Sequence, residues 1–149
     1  MPVGEICNRE VVIIKKKEGI LDAAKLMRDH HVGNVIVVEE KEGKVIPTGI
    51  LTDRDIVVGL IAKEVPLEKI LVEDVMSVDL VSVKQNAGIW DTIKCMRAKG
   101  IRRIVVTGDQ GELVGIISSD DLIDLLSGEL MDLVKTFMRE QIREKETKE

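Results

Sequence analysis

The 149 residues include 22 Lys plus Arg against 27 Asp plus Glu, a formal net charge of −5, and 44% are hydrophobic. A chain of this size buries roughly 70% of its unfolded surface and needs no metal or disulfide to hold a core; its apolar content excludes a disordered polymer. The acidic balance and the presence of only one Trp, one Phe and no Tyr argue against nucleic acid as a partner, because phosphate neutralisation and base stacking both lack their residues.

In chain order, a helical turn at 3–7 leads to a brief strand at 11–14 and an amphipathic helix over 19–29, where Ile20, Ala24 and Met27 keep helical spacing. A β-branched run at 35–38 reads as a buried strand. Glu39-Glu40-Lys41-Glu42-Gly43 reads as a hairpin loop and 45–51 as the returning strand. A second helix starts at Thr52 and reaches about residue 62, and Pro66 marks a linker.

The pattern then begins again. Shifted by 69, residues 3–38 align with 72–107 without a gap, and ten of the 36 pairs are identical, where average residue usage gives about two or three by chance. After a shorter loop, Gly49-Ile50-Leu51-Thr52-Asp53-Arg54-Asp55 faces Gly115-Ile116-Ile117-Ser118-Ser119-Asp120-Asp121. The second copy therefore repeats turn (72–76), strand (80–83), helix (88–99, with Ile89, Ile93 and Met96), strand (104–106) and strand (113–117), with a last helix to about 126. Trp90 and Cys95 align with Leu21 and Leu26 and read as packing residues.

One β-α-β-β-α unit of about 60 residues is marginal alone. The expected fold is α+β, with the two repeats, 1–66 and 67–127, packed through their sheets about a pseudo-twofold axis. A C-terminal helix follows at 128–149, with Leu130, Leu133, Val134, Phe137, Met138 and Ile142 on one face. That face leads us to expect a homodimer.

The motif Thr52-x-x-Asp55, echoed by Ser118-x-x-Asp121, has two meanings. A hydroxyl at a helix N-terminus can bond a phosphate, and the carboxylate three residues on can accept from ribose hydroxyls. The same spacing is a helix capping box. Cys7 and Cys95 form neither a disulfide framework nor a zinc pattern, and the adjacent pair His30-His31 lacks the i, i+4 spacing of a metal pair. No nucleophile–base arrangement or Gly-rich phosphate loop is legible, so catalysis is not expected. Met1-Pro2-Val3-Gly4-Glu5 lacks the pattern of a signal peptide, and no uncharged stretch approaches a membrane span. A cytoplasmic protein without membrane contact is expected. The 14 Lys and 15 Glu against 6 Asn plus Gln form a bias met in thermophile proteins.

The element order, the two Gly-Ile-x-x-x-x-Asp ends and Gly100-Ile101-Arg102-Arg103-Ile104-Val105-Val106 resemble a tandem pair of CBS domains, a Bateman module, over residues 3–126. The resemblance implies a regulatory protein with no obligatory cofactor. Its ligands would be AMP, ADP, ATP or S-adenosylmethionine, held in clefts between the repeats, and its output would pass to an effector protein still to be identified. It implies Thr52, Asp55, Ser118 and Asp121 as ribose and phosphate anchors. Arg102 and Arg103 would serve as countercharges. From its place inside the first motif Arg54 can also counter a phosphate, and His30-His31, at the end of the first helix, read as caps of the helix dipole, with His31 as a phosphate contact the alternative. Asp53 and Asp120 fill the motifs, and Asp120 makes the second one repel phosphate. With no aromatic platform, Ile13, Ile36, Ser82 and Val105 are the candidates beside the base. Family members often carry proline where this chain has Ile36 and Val105. The alternative is a ligand-free dimerising scaffold in which both motifs are only caps.

Overall fold

The computed structural model describes residues 1–148, apart from the Lys148 side chain. Each half builds a three-stranded sheet in sequence order: β1 (Ile13–Lys15), β2 (Asn34–Lys41) and β3 (Lys44–Thr52), then β4 (Ser82–Lys84), β5 (Arg103–Thr107) and β6 (Leu113–Ser118). The first pair in each sheet is parallel and needs a crossover, supplied by helix α1 (Ile20–His30) or α3 (Ile89–Lys99). The second pair is an antiparallel hairpin. Helix α2 (Asp53–Ile56) runs on as a π-helical turn, Val57–Ile61, and α4 spans Ser119–Lys148.

Helix α1 forms because Ile20, Ala23 and Met27 return to one face and bury there. Asp22 in its first turn and Arg28 and His30 in its last complement the helix dipole. In α3 the buried set is Ile89, Thr92 and Met96, and the Thr92 hydroxyl donates to the Gly88 carbonyl at 2.9 Å. Trp90, expected to pack, is 68% exposed instead. One residue beyond Ile89 is a rotation of about 100°, enough to carry it off the buried face.

Three apolar clusters hold the molecule. Two lie between each sheet and its helices. The third lies between the sheets, where Ile36, Val38 and Val105 meet Ile50, Leu80 and Ile116. The two registers match: Ile13 sits beside Ile36, and Ser82 beside Val105.

The turns that open the copies are exchanged. Val3, in the 3-10 turn Val3–Glu5, is fully buried in the second copy's core, while Val72, in the turn Val72–Asp74, is fully buried in the first's. The Val3 N–H donates to Ala87 at 2.7 Å and the Val72 N–H to Glu18 at 2.9 Å. Further on, Asn8 and Ile116 exchange backbone hydrogen bonds of 2.8 and 2.9 Å, and Ser77 and Ile50 do the same at 2.9 and 3.0 Å. This closeness requires glycine. A Cβ on Gly115 would stand 2.6 Å from the Asn8 carbonyl oxygen, and one on Gly49 would stand 2.7 Å from that of Ser77. Cys7, half-buried in the exchanged segment, lies 3.6 Å from the Gly4 carbonyl. Burial pushes its thiol pKa up against the opposing effect of Arg9, so it stays a protonated packing group.

The last helix of the second copy and the tail, expected as separate pieces, are one helix of 30 residues. Gly128 costs about 1 kcal/mol relative to Ala in a helix interior, and the helix formers around it (Leu126, Glu129, Leu130) carry the helix through. From 127 to 147 every residue of it is exposed.

Candidate functional site

Both T/S-x-x-D motifs stand where the last strand of a sheet enters a helix. The Asp55 N–H donates to Thr52 Oγ1 at 3.1 Å, and the Thr52 N–H donates to Asp55 Oδ2 at 2.9 Å. The second motif repeats this: the Asp121 N–H to Ser118 Oγ at 3.1 Å, the Ser118 N–H to Asp121 Oδ2 at 3.0 Å. Both are reciprocal capping boxes. Capping uses Oδ2 alone, and the Oδ1 of each carboxylate makes no hydrogen bond among the described residues. A further bond fixes each junction to the strand beside it, from the Asp53 N–H to the Gly33 carbonyl at 2.9 Å and from the Ser119 N–H to the Arg102 carbonyl at 2.8 Å.

Two cavities between the repeats are related by the duplication. The first, about 270 Å³, is lined by Asp79, Leu80, Val81, Ile101, Arg102, Arg103 and Val105 of the second copy, with Ile50 of the first and Ile116. The second, about 220 Å³, is lined by Glu10, Val11, Val12, Val32 and Asn34 of the first copy, with Ile116, Ser118, Asp121 and Arg103 of the second. Each is floored by the residues leading into an edge strand and walled by the other copy's last strand. Thr52 and Asp55 are the first copy's counterparts of Ser118 and Asp121, but unlike them they line neither cavity: the first is bounded on that side by Ile50. The charges differ. The first cavity has Asp79 against Arg102 and Arg103, while the second has Glu10 and Asp121 against Arg103.

Of the expected residues, Arg102, Arg103, Val105, Ser118 and Asp121 line these cavities. Ile36 is fully buried between the sheets and lines neither. Ser82 faces a separate hollow of about 370 Å³ beside Lys84 and Thr107, and Ile13 is 42% exposed at the sheet edge. His31 is the exposed, left-handed C-cap of α1. Asp53, Arg54 and Asp120 are exposed on the first turns of α2 and α4, and Asp53 Oδ1 accepts from the Arg54 N–H at 2.8 Å. Sequence reasoning missed the floors, Glu10-Val11-Val12 and Asp79-Leu80-Val81, together with Ile50 and Ile116. Their signal was the alignment itself: apolar pairs at matching positions just ahead of each edge strand. Among the described residues no three His, Cys, Asp or Glu side chains gather as a metal site. No helix among them is long and apolar enough to cross a membrane.

A family model for the CBS domain matches the chain twice, at residues 3–61 and 72–128. The chain is 36% identical over 124 residues to the CBS domain-containing protein YhcV of Bacillus subtilis, covering 80% of this chain and 81% of that protein. It is 32% identical over 123 residues to the protein MK0525 of Methanopyrus kandleri, covering 83% of this chain but only 61% of that relative's length. Among solved structures it is similar to the CBS domain protein PAE2072 of Pyrobaculum aerophilum complexed with AMP (TM-score 0.73, 24% identity, 82% of this chain and 90% of that one). It is equally similar to the CBS domain pair of protein MJ0100 in complex with 5-methylthioadenosine and S-adenosyl-L-methionine (TM-score 0.73, 24% identity, 87% of this chain and 98% of that one). At that identity the likeness speaks for the fold. The duplicated sheets, the paired capping boxes and these matches lead to one conclusion: the chain belongs to the CBS-domain family and carries two copies of that domain.

Proposed function

We propose that the protein is a regulatory module that takes adenosine-containing ligands (AMP, ADP, ATP or S-adenosylmethionine) in the two clefts between its repeats. The observation that carries this is the repeat-related pair of cavities, the second of which is lined by the Ser118–Asp121 junction, whose aspartate keeps one oxygen uncommitted. In this reading Oδ1 of Asp55 and of Asp121 accepts from ribose hydroxyls, and the hydroxyls of Thr52 and Ser118 and the helix N-termini face phosphate. The base lies against aliphatic floors, Leu80 and Val81 in the first cleft and Val11 and Val12 in the second. Arg102 and Arg103 suit the first cleft to the ligand with more phosphates; Glu10 and Asp121 suit the second to one with fewer. Proteins of the same fold in complex with AMP and with S-adenosyl-L-methionine support the ligand class.

The module is not catalytic, works in the cytoplasm with two chains as the unit, and signals through altered packing to an effector protein. That change can be no larger than the ligand's differential affinity for the two arrangements. The test is thermal shift against AMP, ADP, ATP, S-adenosylmethionine and a guanosine control. Ligand at 100 times its Kd adds about 2.7 kcal/mol and raises Tm clearly. The expected result is a rise confined to adenosine compounds, reduced in Asp55→Ala, lost when Asp121→Ala is added, and reduced for ATP in Arg102→Ala.

One observation favours a second reading, a ligand-free scaffold: both motifs are fully formed as caps. No shift with any compound at saturating concentration would make that the better account, and Asp55→Ala would then cost only the cap, about 1 kcal/mol.

A further inference from the structure

We propose that α4 is a homotypic docking element that pairs antiparallel with α4 of a second copy of this chain. This rests on the two-chain reading and adds the surface and the direction. The stripe Ile123, Leu130, Leu133, Val134, Phe137 and Ile142 is 44–67% exposed at every position. With Met131 and Met138, it presents on the order of 800 Å² of apolar surface, against the 300–600 Å² of the largest patch on an ordinary monomer. A stable interface buries about 800 Å² per partner, so the patch is of the size one dimer contact requires. It continues without a break into the groove between α3 and α4, lined by Ile93, Met96, Ile101, Leu122, Ile123 and Leu126.

A second argument comes from the helix itself. Residues 127–147 are all exposed, and an isolated helical stretch of that length is marginal in water, because helices in proteins gain most of their stability from packing an apolar face.

The charge distribution identifies the occupant and its direction. Residues 119–134 carry five Asp or Glu (Asp120, Asp121, Asp124, Glu129, Asp132) and no Lys or Arg. Residues 135–148 carry five Lys or Arg against three Glu. The helix is therefore acidic in its first half and net basic in its second. A parallel copy sets acid against acid. An antiparallel copy sets each acidic half against the other's basic half, opposes the two helix dipoles, and makes a closed twofold contact in which both chains use the same patch. A negatively charged membrane surface is a poorer occupant, since the stripe begins on an acidic half-helix.

Sedimentation equilibrium of the full chain is the first test, with a dimer expected. The double variant Leu130→Glu, Phe137→Glu changes only exposed positions and should raise the dimer Kd at least 100-fold, while its adenosine-induced thermal shift, read separately, reports on the clefts. Direction is read by spin labels at Gln141→Cys in a Cys7→Ser, Cys95→Ser background. An antiparallel pair separates the two labels by roughly 25 Å along the axis, whereas an in-register parallel pair leaves them about 10 Å apart. A chain that stays monomeric at about 100 µM overturns both this proposal and the two-chain reading. A dimer that survives the double variant overturns the surface alone, and a short label distance overturns the direction.

Discussion

At the scale of single residues the two copies solve the same problem differently. Helix α3 ends on Gly100 at φ 66°, where glycine is unstrained, but α1 ends on His31 at φ 53°, a left-handed position that disfavours a side chain. His31→Gly should therefore stabilise the protein by about 1 kcal/mol, read as a higher urea midpoint at unchanged slope. No gain would mean that the imidazole makes up the difference through contacts of its own. Legibility at this scale was mixed. The spacing Thr-x-x-Asp and Ser-x-x-Asp predicted either a cap or a ligand anchor, and the structure explains why spacing could not choose: one carboxylate oxygen closes the box and the other stays uncommitted. The alignment of Trp90 with Leu21 does not imply burial, since Leu21 is itself 41% exposed.

At the scale of elements the decisive feature is the crossing of each last strand by the other copy's leading segment. It is made possible by Gly49 and Gly115, each beside a register shift in its hairpin, at Val37/Val38 and Val106/Thr107. Gly115→Ala forces a methyl against the Asn8 carbonyl and Cys7 Sγ. It should cost about 1–3 kcal/mol, and hydrogen exchange should speed up at the Asn8 and Ile116 amides, which close the crossing. Unchanged exchange there would show that the segment yields freely. Helices α1 and α3 were legible within a few residues because their 3.6 period is set by burial on one face, and the central strands because they are β-branched runs buried on both faces. The fusion of α4 was not, because Gly128 is a mild helix breaker and nothing in its surroundings tells a C-cap from an exposed interior position. The cleft floors were not legible either. Glu10-Val11-Val12 and Asp79-Leu80-Val81 line clefts formed only when the two repeats pack, so the aligned apolar pairs show that the positions are equivalent but not that they face a cleft.

For the whole molecule, the exchange of Val3 and Val72 means that neither repeat contains its own complete core. Burying a valine contributes about 1.5–3 kcal/mol, a large share of a 60-residue unit's stability. Expressed as 1–66 and 67–149, neither half should unfold cooperatively, and mixing them in equal amounts should restore a single sharp melting transition. Two halves that each melt sharply would show that the exchanged turns are ornamental. The duplication visible in the sequence is thus not a pair of independent beads, and a stretch matched as one domain need not fold as one.

Helix α4 begins at the Ser118–Asp121 box and runs unbroken for about 45 Å. Mechanically it is a lever whose short arm lies against the cleft and whose long arm extends beyond the body. A tilt of about 5° at the box carries the far tip through about 4 Å, most of one helical turn. If the clefts take a ligand as proposed, a small adjustment at the box would become a sideways swing of several ångströms at the far end, and the length of that helix would set the gain.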